Sequence, residues 1–170
     1  MYSGNAGDVT ERLDKGLLDF GVLIGTANIQ NYDYLHLPTT DTWGLLMKKD
    51  SPLSNLDSIR PENLHDIPLI CSKQALSGNE ISGWFGNDFE KLNIVATYNL
   101  IYNATLMVEE GIGYALCLDK LVNTTSASDL YFKPLEPRLE AHLNIVWKKY
   151  QVFSNAAKQF LHKLQEEISL

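Results

Sequence analysis

Apolar and polar residues follow two periods along this chain, and the switches between them mark out its elements. Val9 and Leu13 recur at helical spacing, which predicts a short helix capped by Asp8 and stopped at Gly16. Residues 20–24 form a short, nearly all-apolar run, the pattern of a strand buried on both faces. Residues 34–37 and 43–47 predict two further strands, with residues 38–41, which include Pro38, as a break or crossover between them. Residues 58–64 hold a capped helical turn with Pro61 just inside its start, and Pro68 opens a strand over residues 69–71.

The second half repeats the alternation. Residues 74–85 predict a short helix broken at Gly78 and Gly83, and residues 93–97 a strand. Ile101, Ala104, Met107 and Val108 share one helix face over residues 101–110, with Asn99 as the cap and Gly111 as the stop. Tyr114–Leu118 returns as a strand, and residues 130–133 and 142–148 supply two more. Ser154 caps a final helix whose stripe is Ala157, Phe160, Leu161, Leu164 and Ile168. Strands alternating with helices predict an α/β chain with mainly parallel sheets.

Composition narrows the class. The 170 residues carry 14 Lys+Arg against 21 Asp+Glu, a net charge of −7. An acidic chain without a basic run is not built to neutralise nucleic-acid phosphates, so it is not expected to bind DNA by itself. Two cysteines, Cys71 and Cys117, sit inside apolar runs, which suits a reducing cytoplasm. No basic region followed by an apolar stretch opens the sequence, and no run is long enough for a bilayer, so no membrane is expected as a partner.

Candidate chemistry is sparse. Gly111-Ile112-Gly113 lies between a helix and a strand, the reverse of a dinucleotide fingerprint, and reads as a helix stop with a tight turn. No phosphate-binding glycine loop, metal-ligand spacing or nucleophile elbow occurs, so neither a cofactor nor a metal is expected. Cys71, followed by Lys73, could be a redox thiol; a small buried hydrophobe is the simpler reading. In open α/β sheets ligands gather at the carboxyl ends of strands. That rule selects Gly4-Asn5, Gly25-Thr26, Ser72-Lys73-Gln74 and Thr97-Tyr98-Asn99, which suit hydrogen bonds to a small polar or anionic molecule and serve equally as ordinary caps.

The order of motifs resembles the effector-binding domain of LysR-type transcriptional regulators. The residues that carry the resemblance are Gly4-Asn5, Val9, Leu13 and the run 16–24; then Lys49-Asp50-Ser51-Pro52-Leu53, Leu64 and residues 67–70. Residues 106–116, including Glu109-Glu110-Gly111-Ile112-Gly113, and residues 143–147 before the last helix complete it. The resemblance implies the type 2 periplasmic-binding-protein fold: two Rossmann-like lobes joined by two crossover strands. Lobe I would comprise residues 1–39 with 145–170, and lobe II residues 40–144, with hinge crossings near residues 38–41 and 140–144. By position, Asn5 and Thr26 resemble effector-binding residues of lobe I, and Ser72, Tyr98 and Asn99 those of lobe II.

The resemblance further implies a non-enzymatic sensor of a small polar or anionic metabolite, forming a homodimer or higher oligomer. DNA would be a partner only through a winged helix-turn-helix module that this sequence lacks. The opening strand and helix of lobe I are also expected to be absent, leaving a sheet edge to be covered by a neighbouring chain or a compensating pairing. A solute-binding protein of the same fold, or a small α/β enzyme using Cys71 or a histidine, is the rival reading.

Overall fold

The first helix, α1 (Ala6–Asp14), starts earlier than its apolar stripe predicts, because Asn5 rather than Asp8 caps it. The Asn5 Oδ1 accepts from the Asp8 N–H at 3.0 Å, so Asp8 supplies the bonded amide and places its charge in the first turn, where the helix dipole favours it. Gly16 follows with a φ of +67°, a left-handed conformation that glycine adopts without strain. Residues 1–25, 30–125 and 127–168 are described in this computed structural model. They divide into two units, Met1–Thr40 with His142–Leu170 and Asp41–Ala141.

In the first unit, β1 (Gly21–Ile24) pairs antiparallel with β7 (Glu140–Lys148), Gly21 lying opposite Val146. The inner face of this pair buries Leu23 and Val146 with Val9 and Leu13 of α1 and with Tyr32. The expectation that residues 20–24 are buried on both faces is corrected: burial alternates, and Val22 is 52% exposed. An apolar run on an edge strand can look like a central one in sequence, because only the neighbours decide. Helix α5 (Asn155–Ile168) is capped as expected, with Ser154 Oγ accepting from Ala157 N at 3.2 Å. Of its apolar stripe only Ala157 is buried.

Residues 32–48 form one uninterrupted strand, β2 (Tyr32–Lys48), where the sequence suggested two. Pro38 falls in the exposed stretch, and burial becomes continuous only from Asp41, so the break is one of environment rather than of backbone. The second unit is built on the buried half of β2. Strand β5 (Tyr114–Leu118) pairs antiparallel with it, Trp43 opposite Leu118, and β6 (Leu130–Pro134) pairs antiparallel over Gly44 to Lys48. Strand β3 (Leu69–Ser72) runs parallel to β5 and to β4 (Ile94–Tyr98). The antiparallel pairings of β1 with β7 and of β2 with β5 and β6 correct the expectation of mainly parallel sheets. Strand order and direction cannot be read from periodicity.

Helix α4 (Ile101–Glu109) packs on β4 and β5 and closes a core of Leu46, Ile70, Ala104, Val108, Ala115, Cys117 and Leu130. Between β3 and β4 lie α2 (Lys73–Ser77) and α3 (Asn79–Phe85), separated at Gly78. Gly83 does not break the helix as expected. The Gly111–Gly113 turn ends α4: Gly111 has a φ of +75°, and the amides of Gly111 and Ile112 bond back to Val108 and Met107. A Cβ on Gly113 would meet the Pro68 carbonyl oxygen at 2.5 Å, so the second glycine is required by a close backbone approach.

Gly44 is the tightest position in the sheet, since a Cβ there would lie 2.2 Å from the Phe132 ring and 2.5 Å from the Lys133 carbonyl oxygen. Gly44→Ala is expected to destabilise the chain by about 1–3 kcal/mol in urea denaturation. Gly83→Ala, which meets nothing within 4 Å, is expected to stabilise it by about 0.5–1 kcal/mol. Equal midpoints for the two variants would contradict this packing.

Candidate functional site

Parallel strands β3 and β4 end side by side, and their last residues, Ser72 and Tyr98, are partners in register. Neighbouring β5 ends at Leu118, so Asp119 emerges at the same end of the sheet. Here the backbone leaves its ladder and polar side chains gather, for the reason that selected this region in the sequence. Ser72 Oγ accepts from Ala75 N at 3.4 Å and so caps α2. Its hydroxyl proton is left over as a donor.

Tyr98 turns inward. Its hydroxyl donates to the Leu116 carbonyl at 2.8 Å, and its ring packs on the α4 core. Burial, with the thiols of Cys117 and Cys71 nearby, holds its ionisation well above the usual tyrosine range. Asn99 is exposed, and its amide has no hydrogen-bond partner among the described residues. It is not the cap of α4, as expected; Leu100 holds that position without a side-chain bond. In the first unit Asn5 keeps its –NH2 group as a donor while its oxygen caps α1. Thr26 lies outside the described residues.

Five charged residues that were not site candidates in the sequence gather near the end of β5. Asp119 Oδ1 accepts from Thr42 N at 2.7 Å, and Asp119 N donates back to Thr42 O at 2.8 Å. Lys120, at a φ of +64°, reaches the buried Asp41 carboxylate at 3.2 Å. Arg138 donates to Thr42 Oγ1 at 3.1 Å and pairs with Glu140 at 3.0 Å. One residue along, the indole N–H of the buried Trp43 has no partner among the described residues. Asp119 follows a strand as directly as Ser72 does, so the strand-end rule could have found it. Lys120 and Arg138 are found only through their partners on β2, which sit some eighty to a hundred positions away in the chain.

The arrangement supplies hydrogen-bond donors and two exposed cations already paired with carboxylates. An exposed ion pair such as Arg138–Glu140 is worth about 0–1 kcal/mol, so exchanging Glu140 for another carboxylate costs little. Neither cysteine adds reactivity: both are free and buried, and burial pushes both thiols up to about 12, the Asp119 carboxylate helping at Cys117. Among the described residues, no group of three His, Cys, Asp or Glu side chains could hold a metal ion.

The sequence of the whole chain decides the family. The model of the LysR substrate binding domain matches residues 1–169. The chain belongs to that family. Solved LysR-type structures share its mixed α/β fold. The effector-binding domain of QuiR, in complex with shikimate, superposes with a TM-score of 0.84 at 15% identity, over 99% of this chain and 80% of that one. The regulatory domain of Synechocystis PCC6803 CcmR, in complex with 2-PG, gives 0.77 at 13%, over 96% and 80%. HinK, a LysR family transcriptional regulator from Pseudomonas aeruginosa, gives 0.78 at 16%, and this LysR domain spans only 59% of its length. No curated protein matches the chain.

The raised thiols have a definite consequence for stability. Above the unfolded thiol value of roughly 8.5 the unfolded chain loses protons that the folded chain keeps. Stability is therefore expected to be level below about pH 8.5 and to fall between about pH 8.5 and 10. Urea midpoints across that range check the sign, and a Cys71→Ala, Cys117→Ala chain should lose most of the slope. The native chain should also resist thiol alkylation at pH 8 and react once unfolded.

Proposed function

We propose that this domain is the effector-sensing part of a LysR-type transcriptional regulator. It binds a small polar or anionic metabolite, associates with a second copy of itself, and controls DNA binding or transcription by the parent protein in the cytoplasm. DNA contact belongs to a separate module of that parent, since the domain itself is acidic and carries no basic run. The role is sensing rather than catalysis. The observation that carries this reading is the gathering of Ser72, Asn99 and the cations Lys120 and Arg138 at one end of the second unit's sheet, within a family of substrate-binding domains. The complexes of QuiR with shikimate and of CcmR with 2-PG agree with it.

In this reading Asn99, with no bond to lose, turns its amide to the ligand, and the Ser72 hydroxyl donates beside it. Asn5, which keeps its –NH2 group as a donor beside its cap bond, is a further candidate contact within the first unit. Tyr98 contributes through its ring and its bond to Leu116, which hold the end of β4 in place. A metabolite that binds one arrangement of the domain better than another shifts the population by its difference in affinity, and that difference is the signal.

A thermal-shift screen against small hydroxylated carboxylates, beginning with shikimate, tests the function. A ligand at a hundred times its Kd adds about 2.7 kcal/mol to the folded state, a rise of several degrees. Asn99→Ala should leave the unliganded melting temperature unchanged and weaken binding by roughly 2–10-fold, the worth of one hydrogen bond. Absence of a shift with every acid would sink the sensor reading.

A further inference from the structure

One face of α4 carries a graded row of side chains. Ile101, Thr105 and Glu109 stand four residues apart and so lie along one face. The row runs from apolar through hydroxyl to carboxylate, and it lines a cavity of about 340 Å³. The connection from β5 to β6 supplies the other wall through Leu121, Val122 and Leu130. Ile101 and Val122 also pack on the core of this unit, so the apolar end of the cavity rests on fixed structure. Small-molecule cavities run from about 300 to 1,000 Å³ and are mostly apolar with a few convergent polar groups. None of Ser72, Asn99, Lys120 and Arg138 lines this one, so it is separate from the proposed effector contacts.

The polar groups of the cavity select a cation. Thr105 Oγ1 donates to Tyr102 O at 2.7 Å, which leaves its lone pairs as acceptors. Asn123 Oδ1 and Ser128 Oγ already accept from Thr125 N at 3.0 Å and Leu130 N at 3.1 Å. The Glu109 carboxylate has no hydrogen bond or ion pair among the described residues. No Lys, Arg or His lines the cavity. Glu109 also stands in the last turn of α4, which holds no basic residue, with Glu110 next to it as the cap. The helix dipole disfavours negative charge at that end. A cation bound there offsets the dipole and the carboxylates together, whereas an anion adds to them.

We propose that this cavity binds a small organic cation, a primary amine on an apolar body of about one ring. The ring lies against Ile101, Val122 and Leu130, and the ammonium reaches Glu109 past Thr105 Oγ1. An apolar cavity of about 150 Å³ accepts one benzene ring, so the larger volume here leaves room for a short linker and the head group. The site goes beyond the effector reading, because the amine and the anionic effector occupy different places on the second unit.

Calorimetric titration of the whole chain with phenethylamine, a cation near pH 7, tests the site. Phenethyl alcohol and phenylacetate keep the ring and replace the ammonium by a neutral and a negative group. Phenethylamine should bind with a Kd of about 0.1–5 mM, the alcohol more weakly, and phenylacetate not measurably. Amide NMR shifts should move at residues 101–109 and 121–130. Glu109→Gln should weaken the amine roughly 3–5-fold and leave the alcohol unchanged. Glu110→Gln removes the same charge from outside the lining and should keep the amine within about twofold of the wild type. Ala127→Phe, which adds a ring at a lining position, should abolish both. Should that variant unfold, the two glutamine variants decide. No saturable amine binding below about 20 mM, equal losses in the two glutamine variants, shifts confined to other residues, or phenylacetate binding as tightly as the amine would each overturn the proposal. The effector screen uses acids and reads another set of residues, so the two can fail separately.

Discussion

Residues 43–47 of β2 are buried, and residues 44–46 are paired on both sides, to β5 and to β6. This double confinement sets the arrangement of the second unit. Gly44 has no room for a side chain because Phe132 crosses it from β6, which fixes the register of that pair. The Leu45–Leu116 and Leu46–Ala115 pairings in turn fix β5, and the parallel register of β3 follows from β5. Where every side chain of a strand must be apolar, polar groups are displaced to its ends. Asp41 and Thr42 stand immediately before the confined stretch, and Asp119 and Lys120 immediately after the matching stretch of β5. The polar end of the sheet is thus the complement of its dry middle.

The first unit lacks this confinement. Its inner face is well filled, with Leu13 fully buried and Leu23 nearly so. Tyr32 ties the layers by donating to Asp14 at 2.8 Å, and burial together with that carboxylate raises its ionisation to about 12. Among the described residues, the outer face has the aromatic contacts around Phe20 and the single buried residue of α5. Helices gain most of their stability from burying a stripe, so an amphipathic helix with one buried position has apolar surface still available for burial.

Elements whose signal is local were legible in the sequence. Strand β5 and the final helix with its Ser154 cap were found at their observed places, and α4 within a residue at its end, because each depends on its own periodicity and on a capping or stopping residue. The fold family was legible as well, through the order of many weak motifs. What escaped depends on neighbours. Asp8 and Asn5 are both good caps by type, and only the position of the first bonded amide separates them. Pro38 suggests a break, yet it is tolerated because its stretch of strand is exposed. Asn99 looked like a cap, but α4 starts one residue too late for it. The cations at the polar end could not be anticipated, since Lys120 and Arg138 are placed by β2, far away in the chain.

These cations bear on how an acidic domain would hold the anionic ligand proposed for it. A net charge of −7 repels an anion at long range, but at physiological salt screening sets in over about 8 Å, so the neighbouring groups decide. At the polar end, Lys120 and Arg138 each face a carboxylate, Asp41 and Glu140. Both cations are mostly exposed, whereas the Asp41 side chain is 13% exposed. A buried carboxylate needs its counter-ion more than an exposed one does. Lys120 is therefore the more firmly held of the two, and Arg138, opposite the better solvated Glu140, is the freer to swing to an incoming anion. Its planar guanidinium can grip a carboxylate through two parallel hydrogen bonds, which gives the proposed site a preference for carboxylates over neutral polar ligands.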